Sequence, residues 1–261
     1  MQQSYRIAEL NKLYSSAELT IDLAKAKKSE SDLVATRERY EQLLRETFLA
    51  NYLDNYRFAI FGSSRVEPDS ATFNFVKNLA CKVGSDMDID IVTGGGGGLM
   101  YAANLGLKKA QGRRKNPRAK NLGILVNLEH EEGRNDCLDV TRQFENFSTR
   151  LESFIHSSNA IYLAPGGLGT DLEAAMFMQL KQLQKLEPTF PILAHPFWKP
   201  IFNYENGIMY QKQLKMGRTT LIGKDDMVLV HFTDNLKEIG HILKASYDGW
   251  LMLREKVKFI N

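Results

Sequence analysis

From Arg57 onward the chain alternates short apolar runs with longer stretches of helical periodicity, and this alternation limits the fold more than any other feature. The runs are Phe58-Ala59-Ile60-Phe61, Ile89-Asp90-Ile91-Val92, Leu122-Gly123-Ile124-Leu125-Val126, Ala160-Ile161-Tyr162-Leu163, Phe190-Pro191-Ile192-Leu193 and Met227-Val228-Leu229-Val230. Most are apolar throughout, as in strands covered on both faces. Helical patterns fill the gaps, at about 70–84, 98–111, 146–157, 170–185, 200–216 and 234–255. Strands separated by helices predict an α/β fold, with a mainly parallel sheet wound on both faces. In such folds ligands sit beyond the carboxyl ends of the strands.

Residues 1–56 differ in texture and contain neither glycine nor proline. Ile7, Leu10, Leu13 and Tyr14, and then Leu33, Tyr40, Leu43 and Leu44, recur at helical spacing. They predict two helices, roughly 4–28 and 30–50, with Ser29 or Ser31 as N-cap of the second. The expected division is a helical extension over 1–56 and a catalytic or binding domain over 57–261.

Composition excludes several classes. No apolar run approaches the roughly 18–20 residues of a membrane helix, and Met1 to Leu10 lack a signal-peptide core. Cys81 and Cys137 make neither a disulfide framework nor a zinc site, so a reducing, cytoplasmic setting is expected. The histidines show no metal-motif spacing, and no metal is expected. A formal net charge of +3 is too weak by itself to imply nucleic acid, which is not expected as a partner. The basic stretch Lys108 to Lys120 lacks interleaved aromatics and reads as a solvated loop or an anion-steering rim.

Three glycine and hydroxyl loops close predicted strands. Gly62-Ser63-Ser64 follows the first; small residues there let backbone N–H groups approach an anion, although an ordinary turn explains them equally. Thr93-Gly94-Gly95-Gly96-Gly97-Gly98 follows the second and opens a helix, where N–H groups attract phosphate. The run is neither a dinucleotide fingerprint nor a P-loop. Pro165-Gly166-Gly167-Leu168-Gly169-Thr170-Asp171-Leu172-Glu173 is the third, with a helix expected to open around Thr170. Thr170 can then cap the helix and bind an anion, and Glu173 falls in the first turn. The same pair also fits a capping box, in which Glu173 serves the helix alone. His195, at a strand's carboxyl end, could line the site, and Phe177, Met178, Leu180 and Leu183 read as a core or dimer face.

Together these motifs resemble the Lonely Guy (LOG) family, long labelled as lysine decarboxylases. The family's G-G-G-x-x-G-L-M loop appears as Gly94-Gly95-Gly96-Gly97-Gly98-Leu99-Met100, with a one-place difference in spacing. Its Arg-bearing segment appears as Phe147-Ser148-Thr149-Arg150-Leu151-Glu152-Ser153-Phe154, and its P-G-G-x-G-T-x-x-E motif is complete, ending at Glu173. The likeness covers roughly 57–245. It implies a Rossmann-like domain, usually dimeric or a higher homo-oligomer, that hydrolyses the N-glycosidic bond of a nucleoside 5′-monophosphate to free base and ribose 5-phosphate, without a cofactor. Arg150 and Glu173 are then the catalytic pair. Gly62, Ser63, Ser64, Gly95, Gly96, Gly97, Gly98, Met100, Gly166, Gly167, Gly169 and Thr170 are the phosphate- and nucleotide-binding positions. The Arg-Leu-Glu-x-Phe wording is similar to the larger bacterial nucleotide monophosphate nucleosidases of the superfamily, rather than to the cytokinin enzymes with Arg-Lys.

On this resemblance Glu173 would stabilise charge developing on the ribose and activate water. Arg150 would hold it anionic at neutral pH, since an opposite charge lowers a carboxylate pKa. Without the resemblance, Arg150 reads as a surface residue paired with Glu145, Glu152 or solvent. Two other readings stay open. One is a nucleotide-binding carrier or sensor without catalysis. The other is pyridoxal-dependent decarboxylation, for which no cofactor lysine is marked.

Overall fold

The computed structural model describes residues 31, 32, 34, 35, 55–115, 117–126, 133–202, 207, 208 and 228–258. The chain divides into two compact units, Met1–Thr47 and Phe48–Asn261. In the first unit only four residues are described, and all four are helical and exposed. Ser31 is among them, inside the helix rather than capping it. The expected helix over 4–28, and the rest of the one over 30–50, lie outside the described residues.

The second unit is built on a seven-stranded sheet. Its elements run β1 (Arg57–Phe61), α1 (Ala71–Met87), β2 (Asp90–Thr93), α2 (Gly98–Gln111), β3 (Asn121–Val126), β4 (Val140–Phe144), α3 (Phe147–His156), β5 (Ala160–Leu163), α4 (Leu168–Gln182), β6 (Ile192–Ala194), a 3-10 turn (Pro196–Trp198), α5 (Lys199–Phe202), β7 (His231–Phe232) and α6 (Leu236–Lys258). The strand order is β4-β3-β2-β1-β5-β6-β7, and every pairing is parallel. This is a Rossmann-like α/β fold, as the alternation predicts.

Parallel strands need covering on both faces, and the two faces of the sheet divide the apolar side chains by period two. Phe58, Ile60, Ile91 and Tyr162 join α1, α2 and α6 in one core. Ala59, Phe61, Val92, Ile161 and Leu163 join Phe154 of α3 and Ala174 and Phe177 of α4 in the other. Phe177 stacks on Phe190 with ring centroids 5.7 Å apart, so this part of the predicted face is core. Ser70 caps α1, its hydroxyl accepting from the Phe73 N–H at 3.2 Å.

Two strands differ from expectation. β4 was not anticipated: Val140, Thr141, Arg142 and Gln143 are exposed at the sheet edge, where burial imposes no apolar run. The last strand forms at His231–Phe232; of the run expected at 227–230, residues 228–230 precede it without joining the sheet, and Met227 lies outside the described residues. Val228 is 58% exposed in a turn, and the Phe232 register is held by pairing with Ala194. Of the helix expected over 200–216, α5 is described, and most of the remainder lies outside the described residues. No helix among the described residues is long and apolar enough to cross a membrane.

Candidate active site

The strand order reverses between β1 and β5, and the crevice outside their carboxyl ends is the natural ligand position. All three glycine loops meet there through their backbones. The Ser63 N–H donates to the Pro165 carbonyl at 3.1 Å, joining the first loop to the third. The Leu99 N–H donates to the Ser63 carbonyl at 2.9 Å, joining the first loop to the second. Gly98, at φ +57°, lies so close to Ser63 and Ser64 that a Cβ would overlap their backbone. Ser63 also behaves as a plain turn residue, its hydroxyl accepting from the Arg65 N–H at 3.1 Å.

α3 brings Arg150 onto the second loop. Its Nε donates to the Ile124 carbonyl at 3.0 Å, and its guanidinium lies 5.2 Å from the Phe154 ring and 5.8 Å from the Phe147 ring. A Cβ on Gly94 would sit 2.5 Å from Arg150 Nη2, so the missing side chain at position 94 makes room for the guanidinium. Met100 fills the inner curve of the loop: its sulfur would lie 2.8 Å from a Cβ on Gly94, and its methyl 2.9 Å from one on Gly96.

α4 supplies Glu173. The helix begins at Leu168 with Gly167 as N-cap, earlier than the expected opening at Thr170. Thr170 is therefore the third helical residue and Glu173 the sixth. This corrects both the Thr170 cap and the first-turn placement of Glu173, and the capping box does not form. Asp171 is the acid of the first turn, where the helix dipole favours it. Thr170 is buried, and its hydroxyl packs where a Gly166 side chain would be. With no capping work to do, Glu173 is still 9% exposed inside the protein.

Burial pushes the Glu173 carboxyl up to about 7, although the Arg150 charge acts in the opposite direction. The expectation that Arg150 holds Glu173 anionic at neutral pH is thus corrected: desolvation outweighs the ion-pair attraction. A carboxyl that gains and loses its proton near neutrality, set against a cation in a crevice, suits acid–base work.

The amide of Gly95 cannot join the expected phosphate cradle, because it donates to Thr93 Oγ at 3.1 Å. Behind the loop lies a polar cluster that sequence reasoning missed. Thr93 Oγ donates to Asn104 Oδ1 at 3.0 Å, Asn104 Nδ2 donates to Asn121 Oδ1 at 2.9 Å, and Asn135 Nδ2 donates to Asn104 Oδ1 at 3.0 Å. Thr93, Asn104 and Asn121 are fully buried. One signal was available: Asn104 interrupts the apolar face of α2 between Ala103 and Leu107.

Other candidates settle into structural work. His195 caps the 3-10 turn, its Nδ1 accepting from the Phe197 N–H at 3.1 Å. In the basic stretch, Lys108 pairs with Asp139 and Arg114 with Asp88, while the Arg118 and Ala119 amides donate to the Asp88 carboxylate. Among the described residues, no group of three or more His, Cys, Asp or Glu is placed to hold a metal ion. The three loops, α3 and the first two turns of α4 carry no lysine, so they do not fit a Schiff-base cofactor.

No curated protein matches the chain. Among solved structures, the molybdenum cofactor binding protein from the phototrophic bacterium Rippkaea orientalis is 17% identical, with a TM-score of 0.49, covering 73% of this chain and 96% of that one. The molybdenum cofactor carrier protein from Chlamydomonas reinhardtii is 16% identical, with a TM-score of 0.48, covering 73% of this chain and 98% of that one. The family described as "Possible lysine decarboxylase" matches residues 100–243, a span that holds Met100, Arg150 and the whole third loop through Glu173. With more than half of its length inside that match, the chain belongs to this family.

Proposed function

We propose that the protein hydrolyses the N-glycosidic bond of a nucleoside 5′-monophosphate, giving free base and ribose 5-phosphate. The observation that carries the reading is Glu173: a buried carboxyl, poised near neutrality, beside Arg150 at the crevice where three glycine loops meet.

Each part has a task in this scheme. The 5′-phosphate sits against the amides of the second and third loops, at the starts of α2 and α4. Binding energy from this unreacting group positions the ribose over Glu173. As the bond from C1′ to the base nitrogen breaks, positive charge develops on the ribose, and ionised Glu173 stabilises it. Water then adds to C1′. Its hydroxyl stays on the sugar, and Glu173 takes up the water's remaining proton and releases it through solvent to the departing base nitrogen, so that the carboxylate is regenerated. Arg150 stabilises the ionised form of Glu173 against the cost of its burial.

Supporting a homo-oligomer is the outer face of α4, where Leu168 is 88%, Leu172 47% and Leu183 56% exposed. We assign that face to a second copy of the chain, in line with the usual state of proteins carrying these motifs. The test of the activity is chromatography of free base after incubation with a panel of nucleoside 5′-monophosphates. Base is expected from at least one of them. Tight binding without any base release would instead make the protein a carrier.

A further inference from the structure

The polar cluster behind the second loop has a direction, and it bears on the reading of the site proposed above. Asn135 lies between β3 and β4, on the flank away from the β1–β5 crevice. Its backbone N–H donates to the Gly95 carbonyl at 2.9 Å. Its side-chain Nδ2 donates to the same carbonyl at 3.1 Å and to the Gly96 carbonyl at 3.0 Å. The amide is fixed the right way round, because its Oδ1 accepts from the Cys137 N–H at 3.1 Å and its Nδ2 also reaches Asn104 Oδ1. Asn104 is itself held by Asn121, and Thr93 completes the chain by accepting from the Gly95 N–H.

Every peptide bond among the described residues is trans, so a carbonyl and the N–H of the next residue lie in one plane and point in opposite directions. With the Gly95 and Gly96 carbonyls drawn toward Asn135, the Gly96 and Gly97 N–H groups face the other way, toward the crevice. Gly95 holds φ +78°, a conformation that a side chain would strain, so the loop reaches this shape only with glycine there. Two successive amides turned to one side form an anion-binding nest.

From this geometry we infer that Asn135 is a positioning residue. It touches no substrate, and it orients the Gly96 and Gly97 amides that receive the substrate's 5′-phosphate. The inference rests on the nucleotide reading of the site, and its test separates the two. Calorimetry on the full chain compares AMP, GMP, CMP and UMP, each against its own nucleoside. The wild type is expected to prefer at least one nucleotide over its nucleoside. Asn135→Ala is expected to lose about 10- to 100-fold of nucleotide affinity, the scale of misplaced hydrogen bonds to a charged group, with nucleoside affinity unchanged. A merely structural loss would lower both together. Thermal melting checks the fold, and Asn135→Ser, too short to span both carbonyls, serves if the alanine variant does not fold. A wild type that prefers no nucleotide overturns the site reading and this inference with it. A wild-type preference that survives in the Asn135 variants, or a loss shared equally by nucleoside, overturns the assignment of Asn135 alone.

Discussion

Burial raises the pKa of the Glu173 carboxyl, and this has consequences for both activity and stability. In the folded protein its pKa is about 7, against 4.5 for the ordinary group. Between those values the native state keeps a proton that the unfolded state has released, so stability falls as pH rises from 4.5 to 7 and levels off above. A shift of this size corresponds to roughly 3 kcal/mol at pH 8. Glu173→Gln, which fixes the neutral form, should therefore melt higher than wild type at pH 8, with little difference at pH 4.5. Equal melting temperatures at pH 8 would show that the carboxyl is not destabilised in place. For activity the sign is opposite. Base release needs the ionised form, so kcat/KM should rise through an apparent pKa near 7 and reach a plateau above it. Arg150→Met removes the charge that favours ionisation, and should move that acid limb to higher pH as well as lowering the plateau. An unmoved limb in a pH–rate profile would separate Arg150 from Glu173. None of this was legible in the sequence. The motif named the pair, but the balance between desolvation and ion pairing depends on how deeply α4 and α3 bury them.

At the scale of elements, the loops differ in what they tolerate. Gly95 and Gly98 adopt positive φ, and Gly98 is also pressed against the Ser63 and Ser64 backbone. Alanine at either should cost on the order of 1–3 kcal/mol and weaken nucleotide binding. At Gly97 a Cβ would lie 3.6 Å from the Ser64 carbonyl oxygen, an ordinary contact, without a positive φ. Gly97→Ala should therefore fold with stability close to wild type, and denaturant unfolding of the three variants checks the ranking. The glycine run itself was visible in the sequence as a phosphate-type loop. Which of its glycines are obligatory was not, because the demand comes from Asn135 and the first loop, both distant in the chain. The same holds for α4. Thr170 and Glu173 have the spacing of a capping box, yet Gly167 starts the helix earlier, and the third loop packs Thr170 against Gly166. β4 escaped because an exposed edge strand needs no apolar pattern, whereas β1, β2 and β5 at the sheet centre carry it plainly.

For the whole molecule, the organising fact is the reversal of strand order between β1 and β5, which gathers residues 62–64, 93–98 and 165–173 at one crevice. The alternation of apolar runs and helical patterns predicts a parallel sheet. The order of the strands emerges only from long-range pairing. The exposed leucines of α4 lead to a further expectation at this scale. The protein should sediment as a dimer or larger homo-oligomer, and Leu172→Glu should shift it toward monomer, as measured by analytical ultracentrifugation. A wild-type monomer at micromolar concentration would contradict the assignment of that face. Cleavage of the bond between ribose and base in this crevice can be read in one assay. Wild type and Glu173→Gln are incubated at pH 8 with the nucleoside 5′-monophosphate panel, and free base is quantified by chromatography. The wild type is expected to release base, and the variant at least about 100-fold less, with nucleotide binding retained. Base released equally by both proteins, or by neither while nucleotide still binds, would contradict Glu173-dependent cleavage.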